Sequence, residues 1–278
     1  MNLEKRPVEN AVPNHALLSA SHLSKTYARR GRLGLRHRSG VAALRDVSLS
    51  VAPDQTLGIV GASGAGKSTL ARCLAFLERP DAGQILMLGQ DLLELKRAEL
   101  RRARRRIQLI FQGPAATLNP RFRGIDIVVE PLAIAGTLSK RERHERGLTM
   151  MESVGLPREA AGRNCMEFSG GERQRLAIAR ALSLSPKVLI LDEALSGLDL
   201  SVQAQMVNLL ADLRDRLAVS YIVISHDLRL AAHMSDHLAV MQSGSIVEHG
   251  PAAQVSRDPQ HPHTRALLSA IVRFPPHS

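Results

Sequence analysis

Residues 61–69, GASGAGKST, decide how the rest of this chain is interpreted. They match the phosphate-loop pattern G-x-x-x-x-G-K-S/T at every fixed position. The glycines let the backbone turn so that successive N–H groups point at phosphate oxygens, and Lys67 supplies a charge for the β and γ phosphates. Ser68 offers Mg²⁺ a hydroxyl ligand. The residues predicted to contact a nucleotide here are Gly61, Ala62, Ser63, Gly64, Ala65, Gly66, Lys67, Ser68 and Thr69.

The flanking sequence has the order that this motif requires. Residues 56–60, TLGIV, predict a short buried strand, and residues 69–74 predict a helix whose positive N-terminal end adds to the anion site. A glycine-rich turn can match the pattern by chance, but a chance match would not be expected to have a strand before it and a helix after it. The sequence therefore predicts a phosphate-binding unit of strand, loop and helix.

Length and composition are those of a protein that buries a substantial core. At 278 residues and 30.3 kDa, one large domain or a domain with an inserted subdomain is expected. No apolar run approaches the roughly 20 residues of a spanning helix, and residues 1–15 lack the apolar core of a signal peptide. Cys73 and Cys165 make neither a disulfide framework nor a metal-binding spacing, which fits a reducing cytoplasm.

The net charge of +11 favours an anionic partner, either nucleic acid or a membrane surface, without choosing between them. Residues 28–40 contain five arginines, and residues 101–106 contain five more. A solvated loop and a solvated helix face would have the same composition. The role of the arginine-rich loop at 28–40 therefore stays open.

Two further predicted strands end in polar residues at the carboxyl edge of a sheet, where ligands bind in parallel α/β folds. Residues 188–193, VLILDE, end with Asp192 and Glu193, and the strand at 221–225 is followed by His226. Asp192 is predicted to hold Mg²⁺ through its water, and Glu193 to orient or deprotonate an attacking water. His226 is predicted to contact the γ-phosphate. Asp192 and Glu193 alone would also fit a buried strand that ends in a polar turn, and a lone histidine is usually a surface or satisfied residue.

A second candidate anion site lies at residues 169–171, SGG, where a serine can cap a helix and glycines allow close approach. An ordinary helix start would look similar. Near the C-terminus, His261 and His263 are metal-ligand types, but two histidines without further nearby ligands are a weak indication of a metal site.

Periodicity and turn residues predict the remaining elements. Residues 1–14 are predicted to be disordered. Strands are predicted at 16–27, 47–51, 85–88 and 107–111, with a hairpin at 238–241 and 245–247. Helices are predicted at 91–106, in an insertion at 113–167, at 172–184 and from 261 to 273, and a turn at 80–83.

Six motifs in order resemble the motif set of an ATP-binding cassette (ABC) ATPase across nearly the whole chain. They are GASGAGKST, Gln112, FSGGERQR at 168–175, VLILDE, SGLD at 196–199 and His226. The resemblance implies an α/β fold: a P-loop NTPase core with a mostly parallel sheet, an antiparallel β subdomain and a helical subdomain inserted at about 113–177. The implied ATPase domain spans residues 15–260, and a short helical tail occupies 261–278.

The resemblance also implies a head-to-tail dimer driven by nucleotide. Ser169, Gly170 and Gly171 of one subunit, with Glu172 beside them, would complete the phosphate loop of the other. Phe168 and Glu172 stand where leucine and glutamine are commoner in the family. Because the serine and both glycines are present, activity is expected to survive these departures.

The cofactors implied by the resemblance are ATP and Mg²⁺. Tyr27 matches the aromatic residue that stacks on adenine, and Gln112 matches the residue that links Mg²⁺ to the helical subdomain and assists catalysis. Asp199 matches a residue that contacts the partner across the dimer. The implied metal ligands are therefore Ser68, Gln112 and Asp192, and the implied catalytic residues are Glu193, His226 and Gln112.

Within the family, three stretches resemble the ATPase subunits of bacterial peptide and nickel importers, as does a basic insertion after the first strand. They are FQGPAATLNPR at 111–121, DEALSGLDLSVQAQ at 192–205 and HPHTRALLSA at 261–270. Many of the peptide-type subunits carry a further C-terminal stretch with several cysteines suited to an iron–sulfur cluster. This sequence has none there, so no cluster is expected, and a nickel or metal-chelate system is slightly favoured.

The resemblance implies a peripheral protein on the cytoplasmic face of the plasma membrane. Its partners would be permease subunits that contact the helical subdomain, a second ABC subunit of the same or another kind and, indirectly, a solute-binding protein. The alternative is an ABC-type ATPase that acts on nucleic acid or ribosomes. One phosphate loop and the absence of sustained heptads between Lys67 and Asp192 weigh against it, so no nucleic acid partner is expected.

Overall fold

A computed structural model describes residues 16–28 and 40–270. The predicted disorder at 1–14, nearly all of the arginine-rich loop at 28–40 and the end of the predicted C-terminal helix lie outside these residues. The strands described are β1 (Leu18–Tyr27), β2 (Val41–Val51), β3 (Thr56–Val60), β4 (Ala82–Met87), β5 (Gln90–Asp91), β6 (Ile107–Ile110), β7 (Val188–Asp192), β8 (Ser220–Ser225), β9 (His237–Gln242) and β10 (Ser245–Pro251).

The α-helices described are α1 (Lys67–Leu74), α2 (Arg97–Arg104), α3 (Gly124–Ala135), α4 (Lys140–Ser153), α5 (Gly170–Leu182), α6 (Leu200–Leu217), α7 (Leu228–Met234), α8 (Ala252–Arg257) and α9 (Pro262–Ala270). Short 3-10 turns occur at Pro114–Thr117, Arg158–Gly162 and Cys165–Glu167. In the described ranges, none of the helices has the length and apolar character needed to cross a bilayer.

The described strands form two sheets. The larger has six strands in the order β10-β9-β3-β8-β7-β6, parallel throughout except for the β10–β9 pair. The smaller is antiparallel, with the order β2-β1-β4-β5. The predicted α/β fold with a mostly parallel sheet and a separate antiparallel sheet is confirmed. Because β3, β7 and β8 run parallel, their carboxyl ends meet at one edge.

The apolar runs of the central strands are continuous because each strand is buried on both faces. In β7, Val188 and Ile190 pack into the core shared with α1 and the antiparallel sheet. The alternate residues, Leu189 and Leu191, pack into a second core built by the helices between β6 and β7 together with α6. The sheet is thus clamped between two apolar cores, which makes its carboxyl edge a rigid support for polar side chains.

Several predicted elements differ from the structure in their bounds, and three of these differences have a clear physical cause. The turn predicted at 80–83 ends earlier, because Gly83 already lies in β4. A Cβ on Gly83, whose φ is +99°, would come within 2.6 Å of the backbone oxygen of His22, so a close approach to β1 requires glycine here. The helix predicted from 91 begins only at Arg97, since Asp91 pairs in β5 and its Oδ1 accepts the N–H of Leu93 at 2.9 Å. The strand predicted at 47–51 extends back to residue 41 through pairing with β1.

Candidate functional site

The loop between β3 and α1 is packed so tightly that only glycine fits at its end. Gly64 and Gly66 adopt φ values of 80° and 105°, in the left-handed region. A Cβ on Gly66 would lie 2.3 Å from the backbone oxygen of Ala43 in β2. The loop therefore rests directly on the antiparallel sheet, and its last glycine leads into the N-terminus of α1.

The side chain of Lys67 is turned inward along this loop. It is 5% exposed, and its Nζ donates hydrogen bonds to the backbone oxygens of Gly61 at 2.8 Å and Ala62 at 3.1 Å. Burial lowers the pKa of Lys67, and the nearby carboxylates of Glu193 and Asp192 oppose that shift. The ammonium group is thus a positive charge largely stripped of water, a form in which it attracts phosphate strongly.

Ser68 and Asp192 bring two hard oxygen ligands together. Ser68 Oγ donates a hydrogen bond to Asp192 Oδ1 at 3.1 Å, and Asp192 is 5% exposed at the end of β7. Burial raises the pKa of Asp192, while the hydrogen bond from Ser68 acts in the opposite direction. A bound divalent cation would lower that pKa again, and this oxygen pair fits the ligand preference of Mg²⁺.

Glu193 lies between Lys67 and His226. Its Oε1 is 3.8 Å from Lys67 Nζ, and its Oε2 is 3.6 Å from His226 Nδ1. Its backbone has a φ of 50°, a strained conformation for a residue with a Cβ, and its N–H donates to the oxygen of Ile224 at 3.0 Å. The residue lies directly after the end of β7, and its partly buried carboxylate lies beside the lysine at the end of the phosphate loop.

Tyr27 and Gln112 lie around this group. Tyr27 is 37% exposed, and its hydroxyl donates to Glu78 Oε2 at 2.6 Å and lies 3.5 Å from Thr69 Oγ1, which ties it to α1. Gln112 is exposed two residues beyond β6, the neighbour of β7. Within residues 16–28 and 40–270, no hydrogen bond or ion pair joins Gln112 to Ser68, Asp192 or Glu193. The structure thus brings Lys67, Ser68, Asp192, Glu193 and His226 together and leaves Gln112 outside these contacts.

The SGG segment forms a helix cap that is exposed in this chain. Ser169 and Glu172 make a reciprocal capping box at the start of α5, with distances of 3.2 Å and 2.7 Å. The Ser169 N–H is the main cause of a lowered pKa at Glu172, and Arg163 Nη1 also contacts that carboxylate at 3.2 Å. A Cβ on Gly170 would meet no atom within 4 Å. Contacts among the described residues therefore do not explain why glycine stands there.

Two of the residues singled out from the sequence have local structural roles as well. Asp199 caps α6, since its Oδ1 accepts the N–H of Val202 at 2.9 Å and the hydroxyl of Ser201 at 2.7 Å. These bonds, the first above all, lower its pKa. His261 Nδ1 accepts the N–H of His263 at 3.1 Å. Across the described chain, no group of three or more His, Cys, Asp or Glu side chains is placed to hold a metal ion.

Sequence reasoning missed Gln174, which is 4% exposed inside α5. Its Nε2 donates a hydrogen bond to the backbone oxygen of Ala194, the residue after Glu193. Gln203 of α6 does the same to the oxygen of Leu195 at 3.2 Å. The sequence did contain a signal for Gln174. It lies three and four residues before Ala177 and Ile178, on the same buried face of the helix, and a polar side chain on a buried face needs a hydrogen-bond partner.

A groove of about 620 Å³ lies between α2, β6, the Pro114–Thr117 turn, α3 and α5. Its apolar lining includes Phe111 and Ile134, and Ile134 is 72% exposed. Four arginines also line it: Arg101, Arg104, Arg105 and Arg180. The arginine run at 101–106 is thus partly the wall of a groove.

Comparison with known proteins gives a consistent set of similarities. A family model described as "ABC transporter" matches residues 44–196. The chain is 45% identical over 263 residues to the dipeptide transport ATP-binding protein DppF of Haemophilus influenzae, a match that covers 95% of this chain and 80% of that protein. It is 45% identical over 251 residues to the oligopeptide transport ATP-binding protein OppD of Mycobacterium tuberculosis, covering 90% of this chain and 41% of that one.

Solved structures show the same likeness. A dimeric post-hydrolysis state of the ATP-binding cassette MJ0796, bound to ADP and Pi, superposes with a TM-score of 0.72 at 26% identity, covering 84% of this chain and 98% of that one. CbiO1 from Clostridium perfringens, part of the ABC transporter complex CbiONQ, superposes with a TM-score of 0.75 at 24% identity, covering 88% and 92%. This second likeness concerns the fold.

Proposed function

Because this chain belongs to the ABC transporter family, we propose that it is the ATP-hydrolysing subunit of an importer for dipeptides or oligopeptides. The observation that supports this best is the cluster of Lys67, Ser68, Asp192 and Glu193 at the carboxyl edge of the parallel sheet. The relatives are peptide transport proteins, which favours peptides over nickel or metal chelates and over an action on nucleic acid or ribosomes.

In this proposal the buried groups bind and orient ATP before any bond breaks. The N–H groups of the phosphate loop and the Lys67 ammonium hold the β and γ phosphates. When ATP binds, Lys67 exchanges its hydrogen bonds to backbone carbonyls for hydrogen bonds to phosphate oxygens. Ser68 and Asp192 would hold Mg²⁺, which neutralises phosphate charge when bound. Glu193 orients the attacking water and accepts its proton, and His226 contacts the γ-phosphate. Gln112 would join this site when the helical segment moves inward.

The site is proposed to be completed by a second subunit, identical or related. Gly170 lies at an exposed helix N-terminus with no atom near the place of a Cβ, which suits the close approach of another molecule's phosphates. The phosphate loop has no hydrogen bond or ion pair to the SGG segment within the described part of its own chain. A head-to-tail dimer, in which each SGG segment serves the partner's nucleotide, would complete both sites. The similar cassette MJ0796 is dimeric.

The contact with the permease is proposed to lie in the 620 Å³ groove. An apolar lining and an open volume suit a short cytoplasmic helix of a membrane partner. Arg101, Arg104 and Arg105 suit acidic groups on that helix, whereas Arg180 is already paired with Glu130 at 2.7 Å. Of the segment that follows β6, Phe111, Pro114 and Thr117 line this groove. The chain would thereby sit at the cytoplasmic face of the membrane, acting with a solute-binding protein only through the permease.

Replacement of the proposed base tests the hydrolytic function. We expect Glu193→Gln to keep ATP binding and to slow turnover by roughly 10²–10⁴-fold, because loss of a general base removes a factor of this size. Glu94→Gln, a change at an exposed glutamate before α2, is the matched control. Turnover of Glu193→Gln near the wild-type rate would refute the assignment.

A further inference from the structure

Glu78 lies in the segment that follows α1 and reaches back to the end of β1. Its Oε2 accepts a hydrogen bond from the hydroxyl of Tyr27 at 2.6 Å, across 51 positions of sequence. The same hydroxyl is 3.5 Å from Thr69 Oγ1, two residues after Lys67. The outer end of the Tyr27 ring is thus anchored to the first turn of α1 and to the segment that follows this helix, while Tyr27 remains 37% exposed.

Glu78 is itself held in place by a network of charges. Lys25 Nζ lies 3.8 Å from Glu78 Oε1 and donates to the backbone oxygen of Arg79 at 2.8 Å and to Asp81 Oδ1 at 3.0 Å. Asp81 Oδ2 in turn accepts the N–H of Thr26 at 2.7 Å. Lys25 Nζ also lies 5.9 Å from the centroid of the Tyr27 ring. The last three residues of β1, Lys25 to Tyr27, are therefore each joined to residues 78–81 by a hydrogen bond or ion pair.

We propose that Glu78 is a positioning residue for nucleotide binding: it fixes the Tyr27 ring at a set distance from the phosphate loop, ready for the base of ATP. This rests on the proposed function, in which Tyr27 contacts the base. If the Tyr27 ring is already ordered in the free protein, its side chain loses no conformational freedom when ATP binds. Ordering one such side chain on binding commonly weakens the affinity by roughly two- to tenfold. The hydrogen bond to Glu78, reinforced from the Thr69 side, supplies this order.

The experiment compares ATP with inorganic triphosphate, which carries the phosphates but no base. Dissociation constants are measured by calorimetry for wild type, Glu78→Leu, Tyr27→Phe, the double variant and Glu78→Gln. Glu94→Leu, at an exposed glutamate, is the control. We expect Glu78→Leu and Tyr27→Phe each to weaken ATP binding by roughly two- to tenfold and to leave triphosphate binding unchanged. The double variant should bind ATP no more weakly than either single variant, because both changes remove the same hydrogen bond. Glu78→Gln keeps an acceptor oxygen and should restore most of the affinity.

Two results would overturn the proposal. One is ATP binding by Glu78→Leu at wild-type strength; the other is an equal loss for ATP and triphosphate, which would indicate a general disturbance of α1. Tyr27→Ala separates this from failure of the proposed function. If Tyr27→Ala also binds ATP with wild-type affinity, the base contact assigned to Tyr27 is wrong. If Tyr27→Ala binds ATP more weakly while Glu78→Leu does not, the base contact stands and the role of Glu78 is refuted.

Discussion

The side-chain amide of Gln174 donates a hydrogen bond to the backbone oxygen of Ala194, so that α5 is joined to the residue after Glu193. The N-terminus of α5 carries the SGG segment, which is proposed to serve the partner's nucleotide, whereas Glu193 serves the nucleotide of its own chain. One buried hydrogen bond therefore connects the parts of this subunit that act at the two sites of the proposed dimer.

Replacing Gln174 by leucine should disturb both stability and turnover. The variant leaves the Ala194 oxygen without its donor, and an unsatisfied buried acceptor costs about 1–3 kcal/mol. We expect the free energy of unfolding, measured with urea, to fall by that amount and ATP turnover to fall with it, since the loop after Glu193 loses a support. Gln254→Leu, at an exposed position on α8, should change neither. Wild-type turnover in a folded Gln174→Leu protein would contradict this link.

Mixed dimers should show that the SGG segment acts on the partner's site. Lys67→Ala removes the phosphate contact, and Gly170→Asp places a carboxylate where the partner's phosphates would lie. Each variant alone should be inactive, while a mixture should recover activity from dimers with one intact site. The measurement is ATP hydrolysis across mixing ratios, with dimers verified by light scattering. Mixtures that form dimers but stay inactive would show that the segment does not act in trans.

The phosphate loop should not tolerate a methyl group at Gly66. Its φ of 105° and the 2.3 Å distance from an added Cβ to the Ala43 oxygen both oppose alanine. We expect Gly66→Ala to destabilise the fold by roughly 1–3 kcal/mol or more and to abolish nucleotide binding. Gly162→Ala is the control, because a Cβ there meets no atom within 4 Å. Urea unfolding and ATP binding are measured for both variants. Wild-type stability and ATP binding in Gly66→Ala would contradict this prediction.

Charge placed in the groove should uncouple the ATPase from its permease. Ile134→Glu changes an exposed side chain in the groove, so the fold and the basal ATPase activity should remain. Stimulation by permease in reconstituted membranes should be lost, because a carboxylate there opposes an apolar face and acidic groups. Leu88→Glu introduces the same charge at an exposed leucine away from the groove and should leave stimulation intact. Equal stimulation in both variants would place the contact elsewhere.

The contribution of Asp81 to stability should depend on pH. The Thr26 N–H and the Lys25 ammonium hold the pKa of Asp81 below its ordinary value of 3.8. A lowered folded-state pKa stabilises the fold above the unfolded-state pKa, and this contribution is lost as pH falls through the folded-state pKa. Asp81→Asn should therefore cost about 1 kcal/mol at pH 7, a value reduced by solvent exposure, and progressively less below about pH 4. Urea unfolding of both proteins from pH 7 to 3 checks this, and a constant difference would contradict it.

Short stretches of sequence determined the phosphate loop and the central strands. Residues 61–69 encode their own geometry, because left-handed φ values and close backbone approach demand glycine at Gly64 and Gly66. The apolar runs at 56–60 and 188–191 predict strands buried on both faces without any knowledge of their neighbours. The acids after the second run were therefore predicted at the sheet edge, where Asp192 meets Ser68 and Glu193 approaches Lys67.

Tertiary structure alone decided which distant side chains meet. Gln174 and Ala194 are 20 positions apart, and Tyr27 and Glu78 are 51 apart. Periodicity tells which face of a helix is buried, but it does not identify the acceptor that a buried amide will find, since that depends on how separate elements pack. The length of β2 was decided in the same way, by its pairing with β1. These contacts depend on how elements that are distant in sequence pack against one another, and local sequence does not encode that packing.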